Sequence, residues 1–257
     1  MKKTRTEIDP AEFPAELYPY LSAARIYDSR CASGAQVLYL DSGYYLKSDK
    51  AGALSREREM TELFYKMGLA PEPVVFLSTG ERDYLLTREM KGEDMTHYLG
   101  EPDLVCDRLA EAMLLLHATD AEGAPISLAI SQYRELADNE ELQKYDESFL
   151  SSYFPIGSPD EARGLMREYK DAFLADTLIH GDFCLPNVML DGGRFAGFVD
   201  LGLSGAGDRH IDIFWAVWTL RYNLGTDAYA DRFLDAYGRE KCDKEKLRAV
   251  AAFSAFG

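Results

Sequence analysis

The amino-acid sequence predicts an α+β chain in two lobes: a small antiparallel-sheet lobe with one main helix over residues 1–90, then a larger, mainly helical lobe over 91–257. Three observations lead there. Two strand–turn–strand signals and a single helical stretch fall before residue 90. Beyond Lys91-Gly92 the apolar residues recur mainly at helical spacing. The charge divides at the same place: the chain carries 44 acidic and 28 basic side chains, net −16, of which residues 1–90 hold −2 and residues 91–257 hold −14.

In the first lobe, Gln36 to Leu40, the turn Asp41-Ser42-Gly43, and Tyr44 to Ser48 predict one hairpin. Leu54, Met60, Leu63, Phe64 and Met67 recur at helical spacing, and Gly68 is a natural stop for that helix. Val74 to Leu77, Ser78-Thr79-Gly80, and Tyr84 to Thr87 predict a second hairpin. In the second lobe Asp103 to Ala118 reads as a helix with Asp103 as its cap. Glu161 to Leu174, Ile211 to Leu220, Asp227 to Tyr237 and Asp243 to Phe256 read as further helices. Leu178 to His180, Val188 to Leu190 and Phe195 to Val199 are short strand-like pieces, the last two joined by the turn Asp191-Gly192-Gly193-Arg194.

Composition excludes several classes. Apolar residues make up 47 % of the chain, too many for a disordered one. The longest strongly apolar run, Ile213 to Trp218, is too short to span a bilayer, and no basic-then-apolar leader opens the chain. Cys31, Cys106, Cys184 and Cys242 lie far apart with no Cys-x-x-Cys pair, a pattern of reduced thiols that points to a cytoplasmic protein. A net charge of −16 argues against nucleic acid or an anionic membrane as partner. By itself the acidic second lobe reads as a solvated surface or as a cleft for a cation.

Chemistry concentrates in two runs: His180-Gly181-Asp182-Phe183-Cys184-Leu185-Pro186-Asn187, then Val199-Asp200-Leu201-Gly202. His-x-Asp with Asn five residues after the Asp has the spacing of a kinase catalytic loop, and Asp-Leu-Gly follows where kinases carry Asp-Phe-Gly. Upstream, Lys47 ends a strand and a helix containing Glu59 comes next, the order of a nucleotide-clamping Lys–Glu pair. Glu57, on another face of that helix, competes for the pairing. The residue types suit phosphoryl transfer. Asp182 can orient the proton of an attacking hydroxyl. Asn187 and Asp200 offer hard oxygens for Mg2+. Lys47 can hold the α- and β-phosphates, with Glu59 orienting its ammonium group. His180 and Cys184 read as structural, and Asp208 and Asp212 as caps or braces. Trp215 and Trp218, at helical spacing, read as core.

Taken together, these motifs resemble the aminoglycoside 3′-phosphotransferase family of the protein-kinase-like fold. The likeness covers the Lys47 hairpin, Arg56-Glu57-Arg58-Glu59, His180 to Asn187, and Val199 to Gly202 through Asp208 to Asp212, with Ser204-Gly205 as a further point. It implies a small-molecule kinase that uses ATP or GTP with Mg2+ to phosphorylate a hydroxyl of a cationic aminoglycoside and so confers resistance. By the same likeness Tyr45 stacks on the nucleotide base, Ser33 lies in the loop over the phosphates, and Arg88 and Met90 present backbone groups to the base. Asp146, Glu147 and the C-terminal Gly257 become candidate acceptor contacts, the molecule working as a monomer or weak dimer. The family pattern also leads one to expect acidic residues after the helix near Arg221 and at the C-terminus. Here those places read Tyr222-Asn223 and Ser254-Ala255-Phe256-Gly257.

Three alternatives remain at this level. The acceptor could be another amine-bearing sugar, an amino alcohol or a metabolite, because fold does not fix substrate. A nucleotide-binding pseudokinase would keep the motifs without turnover. A metal-dependent hydrolase using His180, Asp182 and Asp200 lacks a second His at ligand spacing.

Overall fold

The computed structural model describes residues 3–29, 34–139, 144–150 and 153–257. Two compact units emerge, one of residues 1–92 with 196–202, the other of residues 93–195 with 203–257. The segment carrying Asp200 thus belongs with the first unit, whereas the sequence division at residue 90 assigns it to the second.

The first unit is a six-stranded antiparallel sheet with one long helix. Its elements are β1 (Thr4–Thr6), α1 (Tyr18–Leu21), β2 (Ile26–Asp28), β3 (Gln36–Leu40), β4 (Tyr44–Lys50), α2 (Ser55–Lys66), β5 (Pro73–Ser78) and β6 (Arg82–Arg88). The sheet order is β1-β2-β3-β4-β6-β5. Alternation fixes the register: Leu38 pairs with Leu46, and Leu46 with Leu86, so one sheet face is apolar. That face packs on Leu17 and Leu21 and forms a core with Ile26 and Leu40. β1 and β2, three residues each, carry no alternation long enough to be read from sequence.

Helix α2 ends as Gly68 predicts. The Gly68 N–H donates to the Tyr65 carbonyl and the Leu69 N–H to the Phe64 carbonyl, the paired bonds of a Schellman cap. Phe64 is fully buried, worth about 2–3 kcal/mol. Its ring meets that of Phe198 edge-on at 6.3 Å. Phe198 also donates its N–H to the Leu69 carbonyl at 2.7 Å. Next to it, a Cβ on Gly197 would lie 2.6 Å from Met90 Cε and 2.9 Å from the Leu69 carbonyl oxygen. Only glycine allows this approach, which holds segment 196–202 and its Asp200 on the first unit.

The second unit contains β7 (Glu93–Asp94), α3 (Pro102–His117), α4 (Leu128–Asp138), α5 (Pro159–Tyr169), β8 (Thr177–Ile179), β9 (Val188–Asp191), the start of β10 (Arg194–Phe198), β11 (Gly205–Gly207), α6 (Arg209–Leu224), α7 (Ala230–Tyr237) and α8 (Lys244–Ser254). β8 pairs with β11, and β7 with β9. Buried Val105, Leu109, Met113, Ile213, Phe233, Val250 and Phe253 supply its core. Asp103 does not cap α3: the cap position is Glu101 with no side-chain bond, and Pro102 starts the helix. α5 stops at Tyr169, short of the predicted Leu174. No described helix is long and apolar enough to cross a membrane.

Candidate active site

In the first unit the site is built around Lys47. Its position on β4 places the ammonium group at 2.7 Å from Glu57 Oε2 and 2.7 Å from Asp200 Oδ1. Burial alone would lower the Lys47 pKa, but the two carboxylates outweigh it and hold the group above its ordinary value, so it stays charged. The pairing falls to Glu57 and not to Glu59. The Glu57 side chain is 10 % exposed; that of Glu59 is 55 % exposed and lies 3.7 Å from Arg56. Two residues along a helix turn a side chain through about 200°, so both cannot face one strand.

Asp200 follows β10 with φ of 61°, a positive value that no other described non-glycine residue takes. Aspartate tolerates that region better than most residues, and such strain commonly marks a working position. Its side chain is 48 % exposed.

Tyr45 packs beside Tyr39, ring centroids 5.0 Å apart, and the Lys3 ammonium sits 3.3 Å over the Tyr39 ring and 5.3 Å from that of Tyr45. Arg88 donates its N–H to the Glu72 carbonyl and its guanidinium to Glu72 Oε2. Met90 lies against Gly197. Ser33 lies outside the described residues.

In the second unit the loop after β8 carries Asp182 and Asn187. The Asn187 Nδ2 donates to Asp182 Oδ2 at 2.9 Å and to the Asp182 carbonyl at 3.0 Å. With both amide hydrogens so used, the oriented group left to Asn187 is its Oδ1, a neutral hard oxygen. His180 is fully buried, and its Nδ1 accepts the Asp182 N–H at 3.3 Å. It therefore shapes the loop, in the structural role its sequence context predicts.

Asp212, in the first turn of α6, braces that loop. Its two oxygens accept the N–H groups of His180 and Gly181, each at 2.8 Å. Asp208 caps α6 through the His210 N–H and also takes Lys246 at 2.7 Å. Thr219, two turns along α6 from Asp212, accepts the Leu185 N–H at 3.2 Å. Gly181 has φ of 85°, and a Cβ there would lie 2.5 Å from the Leu203 carbonyl oxygen. This loop thus has no room for the arginine that protein kinases carry at the same place. Cys184 is buried in the loop; burial, then the Asp182 charge, pushes its thiol well above the ordinary value, so it is no nucleophile.

Sequence reasoning missed His117. Its Nε2 lies 3.1 Å from Asp212 Oδ2, and its Nδ1 lies 2.8 Å from the Tyr237 hydroxyl. A carboxylate only accepts, so Nε2 carries the proton and Nδ1 receives that of Tyr237. Nothing local announces this role, because the partner lies 95 residues further on.

Asp146 and Glu147 are exposed on a turn beside the C-terminus. The Asp146 N–H donates to the Ala255 carbonyl at 2.7 Å, and its Oδ1 accepts the Ser148 N–H. Gly257 is exposed two residues beyond Ala255. Trp215 and Trp218 are half-buried rather than core, in an aromatic group with Phe149 and Tyr222.

Comparison with known proteins agrees with this geometry. The phosphotransferase enzyme family model matches residues 33–253. A probable aminoglycoside 3′-phosphotransferase of Lactococcus lactis is 40 % identical over 262 aligned positions, covering 100 % of this chain and 99 % of that protein. The aminoglycoside 3′-phosphotransferase of Niallia circulans is 30 % identical, covering 77 % of each. Among solved structures, aminoglycoside phosphotransferase APH(3'')-Id of Streptomyces rimosus superposes with a TM-score of 0.71 at 22 % identity, over 98 % of this chain and 100 % of that one, a likeness of fold. With Lys47, Glu57 and Asp200 joined on one unit and Asp182 and Asn187 on the other, the chain belongs to the aminoglycoside 3′-phosphotransferase family.

Proposed function

We propose that the chain transfers the γ-phosphate of ATP, with GTP as a possible second donor, to a hydroxyl of an aminoglycoside. The observation that carries this reading is the doubly paired Lys47, with Asp182 held by Asn187 on the catalytic loop. Lys47 would bind the α- and β-phosphates, and Glu57 would keep its ammonium directed when Asp200 is drawn elsewhere. Tyr45 would cover one face of the base, while Arg88 and Met90 border it. Asp182 would accept the hydrogen bond of the acceptor hydroxyl and aim its oxygen at phosphorus. Because Asp212 and Thr219 fix the loop, that placement costs no reorganisation at the moment of transfer.

Asp200, an exposed carboxylate, and Asn187, with its free-facing amide oxygen set by two bonds on the nitrogen side, fit the hard-oxygen demands of Mg2+. When bound, the ion would neutralise phosphate charge. The hydrolase reading is disfavoured by His180, which is fully buried with its Nδ1 accepting the Asp182 N–H. The concentration of acidic charge in residues 91–257 favours a cationic acceptor.

The test is a coupled-turnover panel with Mg2+ and ATP or GTP against kanamycin, streptomycin, other aminated sugars and amino alcohols. Turnover with at least one aminoglycoside, abolished in Asp182→Asn, is the expected result. Nucleotide binding without turnover across the panel would favour a pseudokinase. Turnover restricted to a non-aminoglycoside amine would assign another acceptor.

A further inference from the structure

The geometry points to the stacked rings of Phe149, Trp218 and Tyr222 as a platform for a sugar ring of the acceptor, with Glu147 beside it to meet an ammonium group; this rests on the reading of the chain as an aminoglycoside kinase. Tyr222 is 72 % exposed. A single exposed tyrosine needs no explanation, but this one belongs to a stack of rings. Its ring stacks on Trp218 at 4.9 Å and 17°, and Trp218 stacks on Phe149 at 5.5 Å and 22°. Trp215 meets Trp218 edge-on at 5.5 Å and closes the side of the stack. One face of the Tyr222 ring is therefore covered and the other is open to solvent.

The platform stands close to the chemistry within its own unit. α6 carries Trp215, Trp218 and Tyr222 on one stripe, and Asp212 and Thr219, which hold the catalytic loop, on the next stripe round. The acidic border is equally fixed. Trp218 Nε1–H donates to the Ser148 carbonyl at 3.4 Å, which ties the turn bearing Asp146 and Glu147 to the stack. A groove of about 420 Å³ lies on the Glu147 side of that turn, lined among others by Tyr145, Glu147, Leu150 and Arg221, with the stacked rings outside its lining. The one cation among those four is committed: Arg221 Nη1 donates to the Leu150 carbonyl and Nε faces Asp227 at 3.5 Å.

The occupant follows from the chemistry. An aromatic face is the negative pole of its ring quadrupole, and the C–H bonds of a protonated aminosugar, drained by neighbouring ammonium groups, present positive hydrogens. Such a sugar ring covers the open face of Tyr222 while an ammonium group reaches Glu147. Rings thus stand where the family pattern puts carboxylates, at Tyr222-Asn223.

Trp215 and Trp218 are the chain's two tryptophans, so its indole emission reports on this surface alone. Kanamycin and streptomycin are titrated into the full chain without nucleotide, and steady-state kinetics are run in parallel. The expected result is a saturable change in emission, with Tyr222→Ala weakening both the emission titration and the acceptor KM about tenfold, the size of a cation–π and stacking contact, while the KM for ATP stays within about twofold. Tyr222→Phe, which keeps the ring, restores the acceptor KM, and Trp218→Phe, which keeps a shorter stack, weakens it less than Tyr222→Ala. An acceptor KM unmoved by Tyr222→Ala, in an enzyme that phosphorylates that acceptor, overturns the platform and leaves the function standing. No emission change and no turnover with any aminoglycoside overturns both.

Discussion

At Asp200, a carboxylate held at φ of 61° bonds a lysine that a second, buried carboxylate already holds. The arrangement separates two kinds of acidic residue that sequence alone treats alike. Glu57→Gln removes the charge that orients Lys47, and kcat/KM for ATP should fall by about tenfold to a hundredfold, a cost of about 1.4–2.8 kcal/mol. Glu59→Gln touches only an exposed contact with Arg56 and should change kcat/KM by less than about twofold. Steady-state kinetics on the two variants check both outcomes. The motif order made a Lys–Glu pair legible, but not which glutamate, because the face of α2 turned to β4 depends on how helix and sheet pack. The bond between Asn187 and Asp182 and the place of Asp200 just after β10 follow from spacing local to one loop and one hairpin, which the sequence displays. At Gly181, any side chain meets the Leu203 carbonyl, so Gly181→Ala should cost about 2 kcal/mol or more and lower the melting temperature in circular dichroism.

Among the elements, α6 organises the second unit. Asp212 takes two loop amides and His117, and His117 in turn takes Tyr237 of α7. His117→Ala leaves a buried carboxylate and a buried phenol each short of a partner. The expected loss is about 2–3 kcal/mol, read as a lower urea midpoint with unchanged slope. Ile213, Ala216, Val217 and Leu220, all buried, recur at three- and four-residue spacing, and the element was legible within a few residues. α4 was not. Its segment Leu128–Asp138 buries Ala129, Ile130, Tyr133 and Leu136 but follows no cap signal stronger than Ser127, whose side chain does accept the Ala129 N–H. β7 and β11, two and three residues long, owe their existence to partners distant in sequence.

For the whole molecule, the buried carboxylate of Asp208 in the second unit makes stability depend on acid. Burial acts to raise the Asp208 pKa, but His210, Lys246 and the Leu174 amide outweigh it and hold the carboxyl well below its ordinary 3.8. A depressed pKa adds stability above the unfolded value and loses it as pH falls through the folded one. The melting temperature of the wild type should therefore fall steeply on acidification below about pH 4. Asp208→Asn should start lower at neutral pH yet lose less between pH 5 and pH 3, as followed by thermal denaturation across a buffer series. The change of hydrophobic period falls near Gly92, where the main segment of the first unit ends. The return of residues 196–202 to the first unit was not legible, since it depends on Phe198 meeting Phe64 and on the absence of a side chain at Gly197.

The two stripes of α6 carry a consequence for how such a chain can change over generations. Asp212 and Thr219 lie about 700° apart along the helix, nearly one above the other, and the Trp215–Trp218–Tyr222 stripe lies roughly a quarter-turn away. Substitutions that exchange rings for carboxylates on the second stripe leave the loop's anchors on the first intact. A population under pressure from a succession of antibiotics could thus revise what it accepts by single codon changes, without passing through forms that have lost the chemistry.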